Sequence, residues 1–177
     1  LQSIGQLNYP KELFEVIVMD DFSTDATVAT AKQFSFIKVM ELKTFLNEKI
    51  NSYKKKAIEL GIASATGDYI VTTDADCIVP TNWLRNFAFI IQQKPSVFIA
   101  APVAMKEESS AIKLFQSLDF LSLQGITAAS VGAGFHSMCN GANLCYSKEA
   151  FYKVDGFKGV DHIASGDDML LMHKLYK

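Results

Sequence analysis

A single α/β domain built on a mainly parallel sheet flanked by helices is the fold class this 177-residue sequence predicts. Three observations predict it. Short apolar runs rich in β-branched residues recur along the chain, the mark of strands buried on both faces. Segments of helical composition separate them, which implies right-handed crossovers and parallel neighbours. Two of the runs end in paired aspartates, at the edge of an α/β sheet where ligands bind. The length suits one domain with a sizeable core, and 49% hydrophobic with 20% charged residues is an ordinary globular balance.

The elements follow in order. "LFEVIVM" (13–19) predicts a first strand, and "STDATVATAKQF" (23–34) a helix with Ser23, Thr24 and Asp25 as candidate caps. "FIKVM" (36–40) predicts a second strand. Residues 52–65 predict an amphipathic helix with Ala57, Ile58, Ile62 and Ala65 on one face and Gly67 just past its end. "DYIVTT" (68–73) is the third strand. A helix over 81–93 presents Trp83, Leu84, Phe87, Ile90 and Ile91, and "SVFIAAPV" (96–103) is a further strand. Residues 110–124 predict a helix, "GANLCY" a strand, and 147–154 a short helix capped by Ser147 and left at Gly156. "DDMLLMHKLY" closes the chain as a helix. The stretch 120–147 holds no Asp, Glu, Lys or Arg, yet Gly, Ser and Asn interrupt it, so it reads as a buried, loop-rich pocket wall.

Charge and cysteine use exclude several classes. A net charge of −2 argues against a nucleic-acid backbone binder. Lys54, Lys55 and Lys56 are the one tight basic run; it suits a small phosphate ligand or, equally, a solvated helix face. Cys77, Cys139 and Cys145 lack C-x-x-C spacing, so neither a disulfide framework nor a zinc site is indicated, and a reducing cytoplasmic setting fits. No signal peptide is read at the start of the chain, and no apolar run reaches the roughly 18 residues a membrane span needs.

The acidic pairs carry the chemistry. Asp20 and Asp21 end the first strand; Asp74 and Asp76 follow the third. Parallel neighbours would bring the two pairs together, and four carboxylates at one rim repel unless a cation or hydrogen-bond donors absorb the charge. On extended backbone the i, i+2 spacing of Asp74 and Asp76 would point both to one side. Their oxygens suit Mg²⁺ or Mn²⁺, which complete their shells with water and substrate phosphates, so a nucleotide diphosphate is implied. Asp20 or Asp21 could instead cap the next helix, or accept from a ribose hydroxyl or base imide. Asp25 reads as a cap or first-turn dipole partner. Asp167 and Asp168, after Gly166, either stabilise the dipole of the last helix or supply a general base.

Four blocks, "VIVMDDFSTDAT", "KKKAIELGIASATGDYIVTTDADC", "NGANLCYSKEAFYKVDGF" and "SGDDMLLMHK", resemble in order and spacing the family 2 inverting glycosyltransferases of GT-A fold, over almost the whole chain. The resemblance implies transfer of a sugar from a nucleotide-diphosphate sugar, commonly a UDP-sugar, to a glycan or lipid-linked acceptor. It implies Asp20 and Asp21 in the donor-nucleotide pocket with Lys54 near the donor. By the same resemblance Asp74 and Asp76 would form the D-x-D with Asp76 the direct metal ligand, Asp168 beside Asp167 would be the catalytic base, and Gly141, Ala142 and Asn143 would line the wall between donor and acceptor. Residues 1–80 would form a nucleotide-binding half and 81–177 an acceptor-side half.

The sequence also departs from the family pattern. Phe22 stands where glycine is common, and Gly-Asp-Asp replaces a Glu-Asp pair. By the same resemblance "LQSIGQLNYP" matches the end of the first helix, so the chain is expected to be a catalytic-domain fragment lacking the first strand and the C-terminal region. The full-length protein is then expected at the cytoplasm or the cytoplasmic face of a membrane. Two other classes compete: a non-catalytic nucleotide-sugar binder, and a phosphoacceptor receiver module, which leaves Asp76 and the third acidic cluster without a purpose.

Overall fold

The computed structural model describes residues 1–46, 50–106, 110–136 and 138–176. Its strands are β1 (Val16–Asp20), β2 (Ile37–Glu41), β3 (Tyr69–Thr72), β4 (Phe98–Ala100) and β5 (Leu144–Ser147). The helices are α1 (Gln2–Gly5), α2 (Thr27–Ala31), α3 (Tyr53–Ser64), α4 (Trp83–Gln93), α5 (Ala111–Gly132), α6 (Lys148–Lys153) and α7 (Asp167–Tyr176). Each predicted strand and helix is present, most with ends shifted by a few residues where fraying and caps decide the boundary, while α5 runs on to Gly132, well past its expected end at 124.

The α/β class holds, with a parallel ladder and flanking helices. β1 and β2 pair in parallel from Val16↔Ile37 to Asp20↔Glu41. The remaining strands depart from the crossover rule at one place. β5 lies between β3 and β4 and runs antiparallel to both, with Val71↔Cys145 and Ile99↔Cys145 in register. It enters the sheet after α5 rather than by a strand–helix crossover of the predicted kind. β1 and β3 therefore share no ladder among the described residues, and strand pairing is not what relates their acidic ends.

Two apolar clusters hold the layers. Ile62 of α3, Leu144 and Tyr146 of β5, Phe151, Phe157 and Leu171 form one. Leu7, Val79, Trp83, Phe87 and Cys145 form the other, so β5 contributes to both. At about 25 cal/mol per Å² of apolar surface removed from water, each fully buried ring of these clusters contributes on the order of 2 kcal/mol. Trp83 and Phe87 bury as their spacing predicts, but Ile90, at the edge of the same face of α4, is left exposed.

The chain's turns show the expected chemistry. The Ser147 side chain accepts from Ala150 N, capping α6. Gly156 takes φ +48°, and a Cβ there would stand 2.8 Å from the Phe151 ring, so no other residue fits. Asp25 accepts from Thr27 N at 2.9 Å, but it stands before the helix: Ala26 is the N-cap of α2, no side chain caps it, and its first turn holds no acid. Phe22 has φ +57°, the left-handed backbone that explains glycine at this position in the family pattern; its ring is held edge-on to Tyr53 at 5.4 Å.

One expectation fails. The uncharged stretch 120–147 is not a buried, loop-rich wall: through Gly132 it is helix α5, in which no residue is buried, and Leu121 and Ile126 are more than half exposed. The polar residues that suggested loops are accommodated within the helix, Ser122 and Thr127 donating to the carbonyls four residues back. Among the described residues of the stretch, only Ala142, Leu144, Cys145 and Tyr146 are buried. No helix among the described residues is long and apolar enough to cross a membrane.

Candidate active site

The site assembles around the first turn of α3. Lys54 Nζ lies 3.6 Å from Asp74 Oδ1 and 3.5 Å from Asp167 Oδ2, so one ammonium joins the loop after β3 to the start of α7. Burial pulls the Lys54 pKa down, but the charges of Asp167 and Asp74, a hydrogen bond to Asp167 and the more distant Asp168 outweigh it and hold the pKa raised.

Asp168 is fixed from two sides. Its Oδ2 accepts from Gly141 N at 2.9 Å and its Oδ1 from Met169 N at 2.7 Å. An ionised carboxylate has about four lone-pair sites, so acceptor capacity remains on both oxygens. Asp167 beside it is buried, at the N-terminus of α7 where the helix dipole favours negative charge. Gly166, at φ +73°, makes the turn into the helix. A Cβ on Gly141 would stand 3.5 Å from Asp168 Oδ2, so the wall comes within contact distance of both aspartates.

The wall residues divide by role. Gly141–Asn143 is a 3-10 turn leading into β5. The Gly141 carbonyl accepts from Thr72 Oγ1 at 2.9 Å, tying the wall to the end of β3. Ala142 is buried, its N–H donating to Asn140 Oδ1. Asn143 is committed to the fold: its Oδ1 accepts from Trp83 Nε1 and its Nδ2 donates to the Pro102 carbonyl, both at 2.8 Å.

The D-x-D does not lie on extended backbone, which corrects the same-side argument for its two carboxylates. Cys77 N donates to the Asp74 carbonyl at 3.2 Å, closing a turn that leaves Asp74, Ala75 and Asp76 exposed. No three His, Cys, Asp or Glu side chains gather into a metal cage among the described residues. The donor set nonetheless fits a hard divalent cation, because two accessible carboxylates are what a magnesium-like ion takes when substrate phosphates and water complete its shell.

At the end of β1, Asp20 is 3% exposed; its Oδ2 accepts from Ser23 N at 3.3 Å while its buried Oδ1 has no partner. A buried acceptor left unpaired costs about 1–3 kcal/mol, so the atom suits a donor group on a ligand. Asp21 is exposed. Asp20 pairs in register with Glu41, whose carboxyl the Lys43 and Lys32 ammoniums hold down at about 2.

Sequence reasoning passed over Thr72, whose link to Gly141 depends on register, and Thr73, whose buried Oγ1 has no partner beside Asp74. It also left Lys55 undifferentiated within its basic run. Only a count of helical phase, with Lys54 and Lys55 about 100° apart, hinted that the two point differently.

Comparison with known proteins bears on the family and the fold. The model of glycosyl transferase family 2 matches residues 2–155. Poly-beta-1,6-N-acetyl-D-glucosamine synthase of Staphylococcus epidermidis is 26% identical over 99% of this chain and 41% of its own length. The Staphylococcus aureus protein of the same name is 28% identical over the same shares. The chain thus spans 41% of the length of these curated relatives. Among solved structures, S. aureus TarS 1–349 in complex with UDP-GlcNAc superposes with a TM-score of 0.66 at 19% identity, covering 99% of this chain and 48% of its own. Mannosyltransferase PcManGT from Pyrobaculum calidifontis, in complex with GDP-Man and Mn²⁺, gives 0.67 at 19% identity, covering 98% and 46%. At that identity the likeness establishes the fold, and it is the GT-A fold. The family match over most of the chain, on a GT-A fold, identifies a glycosyltransferase domain: the chain belongs to glycosyl transferase family 2.

Proposed function

We propose that this domain carries out inverting, metal-dependent transfer of a sugar from a nucleotide-diphosphate sugar, a UDP-sugar first among candidates, to a hydroxyl of a glycan or lipid-linked acceptor. The observation that carries the reading is the Lys54 bridge: the loop of Asp74 and Asp76 and the helix start of Asp167 and Asp168 meet on one ammonium. In this reading residues 1–80 bring the donor side and residues 81–177 the acceptor side. The complexes of TarS with UDP-GlcNAc and of PcManGT with GDP-Man and Mn²⁺ support a nucleotide-sugar donor and a cation.

Asp76, with Asp74, would hold Mn²⁺ or Mg²⁺ against the donor diphosphate. The bound cation would supply charge neutralisation for the leaving diphosphate. Asp20 Oδ1 accepts from the nucleoside, and Asp21 stands at the same rim. Lys54 adds positive charge beside the phosphates. Asp168, oriented by Gly141 N and Met169 N, takes the proton of the acceptor hydroxyl. The acceptor oxygen bonds to the anomeric carbon as the bond to the diphosphate oxygen breaks on the opposite face. One displacement inverts the centre and needs one base.

Titration calorimetry of UDP with Mn²⁺ tests this reading. Wild type is expected to bind only when the cation is present, and Asp76→Ala to lose that cation-dependent binding. Cation-independent binding of equal strength in both proteins would remove the D-x-D from the mechanism. Binding with no turnover, unaltered by Asp168→Asn, would reduce the domain to a nucleotide-sugar binder.

A further inference from the structure

Lys55 presents a physical puzzle. Lysine is almost never fully buried unless paired, because an ammonium loses its hydration at high cost. Lys55 is nonetheless 2% exposed, and its Nζ donates to two backbone carbonyls, Ile163 O at 2.5 Å and Ser165 O at 2.8 Å. Both belong to the segment that runs into Gly166 and the acidic pair. Between them, the Ala164 carbonyl lies 3.5 Å from the Oγ of Ser52, which precedes α3 and is itself buried. Three consecutive carbonyls thus face the start of one helix, more than 100 residues away in sequence.

The next residue of the segment after Gly166 is Asp167, gripped by Lys54 from the same turn. Adjacent lysines therefore divide the work. Lys54 faces the carboxylates, and Lys55, a helical step of about 100° away, faces the backbone that presents them. α3 is a rigid frame for this: it packs on β1 and contributes Ile62 to the larger core cluster. A loop carrying an acid into a reaction must hold it to a fraction of an ångström, since a displacement of about 1 Å costs on the order of 10²-fold in rate.

We infer that Lys55 is a positioning residue: its buried ammonium clamps the 163–165 backbone to α3 and so fixes where Asp167 and Asp168 stand relative to the Asp74 loop. The inference rests on Asp168 acting as the base. It differs from a stability role, which would spread its effect over the whole fold.

The test compares wild type with Lys55→Met, which keeps length and loses the donor, Lys55→Arg, which keeps a donor, and the milder Ser52→Ala. Steady-state turnover of UDP-sugar, calorimetric binding of UDP with Mn²⁺, and amide hydrogen exchange are read on each. Lys55→Met is expected to lower kcat by about 10²-fold with the donor KM within about twofold. Exchange should accelerate in the first turn of α7 while α4 is unchanged. Lys55→Arg should recover most of the loss, and Ser52→Ala should fall between. Wild-type kcat together with wild-type α7 exchange in Lys55→Met would overturn the inference. So would an exchange increase shared equally by α4, or a global loss of folding in Lys55→Met with Ser52→Ala indistinguishable from wild type. Wild type that turns over no nucleotide sugar would instead overturn the transferase reading, and the exchange comparison would still decide whether Lys55 sets the place of α7.

Discussion

Asp167 and Asp168 are held by the protein, whereas Asp74 and Asp76 are held out to solvent. The first pair has a helix N-terminus, the N–H groups of Gly141 and Met169 and the Lys54 ammonium around it, and Asp167 is buried. The second pair sits on an exposed turn. Asp74 shares Lys54, and Asp76 has the Cys77 thiol at 3.9 Å. Both pairs are acidic motifs of similar spacing, so composition cannot separate them. Their surroundings do: a carboxylate whose charge is already compensated suits a fixed role in proton transfer, and one left uncompensated suits an ion that arrives with the substrate.

Asp168→Asn gives the largest expected difference between the pairs. The amide keeps an oxygen for Gly141 N but cannot take a proton, so turnover should fall by about 10²–10⁴-fold while UDP–Mn²⁺ binding in calorimetry stays. Retained turnover would remove the base from Asp168. Next comes Lys54→Met, which cuts the link between the pairs. The lysine end of the pair is half exposed, and such a pair contributes at most about 1 kcal/mol to folding, so the melting temperature should fall by no more than about 4 °C. Donor affinity should weaken by about tenfold, or about 1.4 kcal/mol. A large melting shift with unchanged affinity would make the lysine structural.

A smaller contrast lies in stability. Asp167→Asn removes a buried charge from the start of α7, where the dipole term is about 0.3–1 kcal/mol. For a chain of this size that is roughly 1–4 °C of melting temperature. Asp76→Asn, on its exposed turn, should leave the melting temperature unchanged. Equal shifts would erase the distinction between a compensated and an uncompensated pair.

Much of this was legible in the sequence. Strand and helix alternation, the Ser147 cap, the exit at Gly156 and the start of α7 after Gly166 all follow from local chemistry that acts within a few residues. The direction of β5 was not legible, because it depends on which end of the sheet the chain reaches after α5. The exposure of α5 was missed for a related reason: an uncharged stretch says that something apolar is nearby without saying whether this chain supplies it. At the site, the aspartates could be named but not their division into sheltered and exposed pairs. That division rests on Lys54, Thr72 and Gly141, contacts between residues up to 113 positions apart.

The smallest predicted effect uses Cys139, two residues before Gly141, as an internal reporter of the sheltered pair. Burial, then the negative charges of Asp168 and Asp167, push its thiol up to about 12. The sign follows from electrostatics: a neighbouring carboxylate disfavours the thiolate, so removing one lowers the value. In a Cys77→Ser background, with Cys145 buried, Asp168→Asn should raise the iodoacetamide rate at fixed pH near 9, by no more than about tenfold, the equivalent of one pH unit. Asp76→Asn should leave the rate alone, since Asp76 does not contribute to the Cys139 shift. Because the folded-state value lies above the unfolded one, the thiol's contribution to stability is complete below the unfolded value and is lost as pH rises towards 12. Rates are therefore compared near pH 9, at the foot of that window. A rate that responds equally to both substitutions would mean that the charge of the exposed pair reaches the interior wall, and the contrast between the two pairs would fail there.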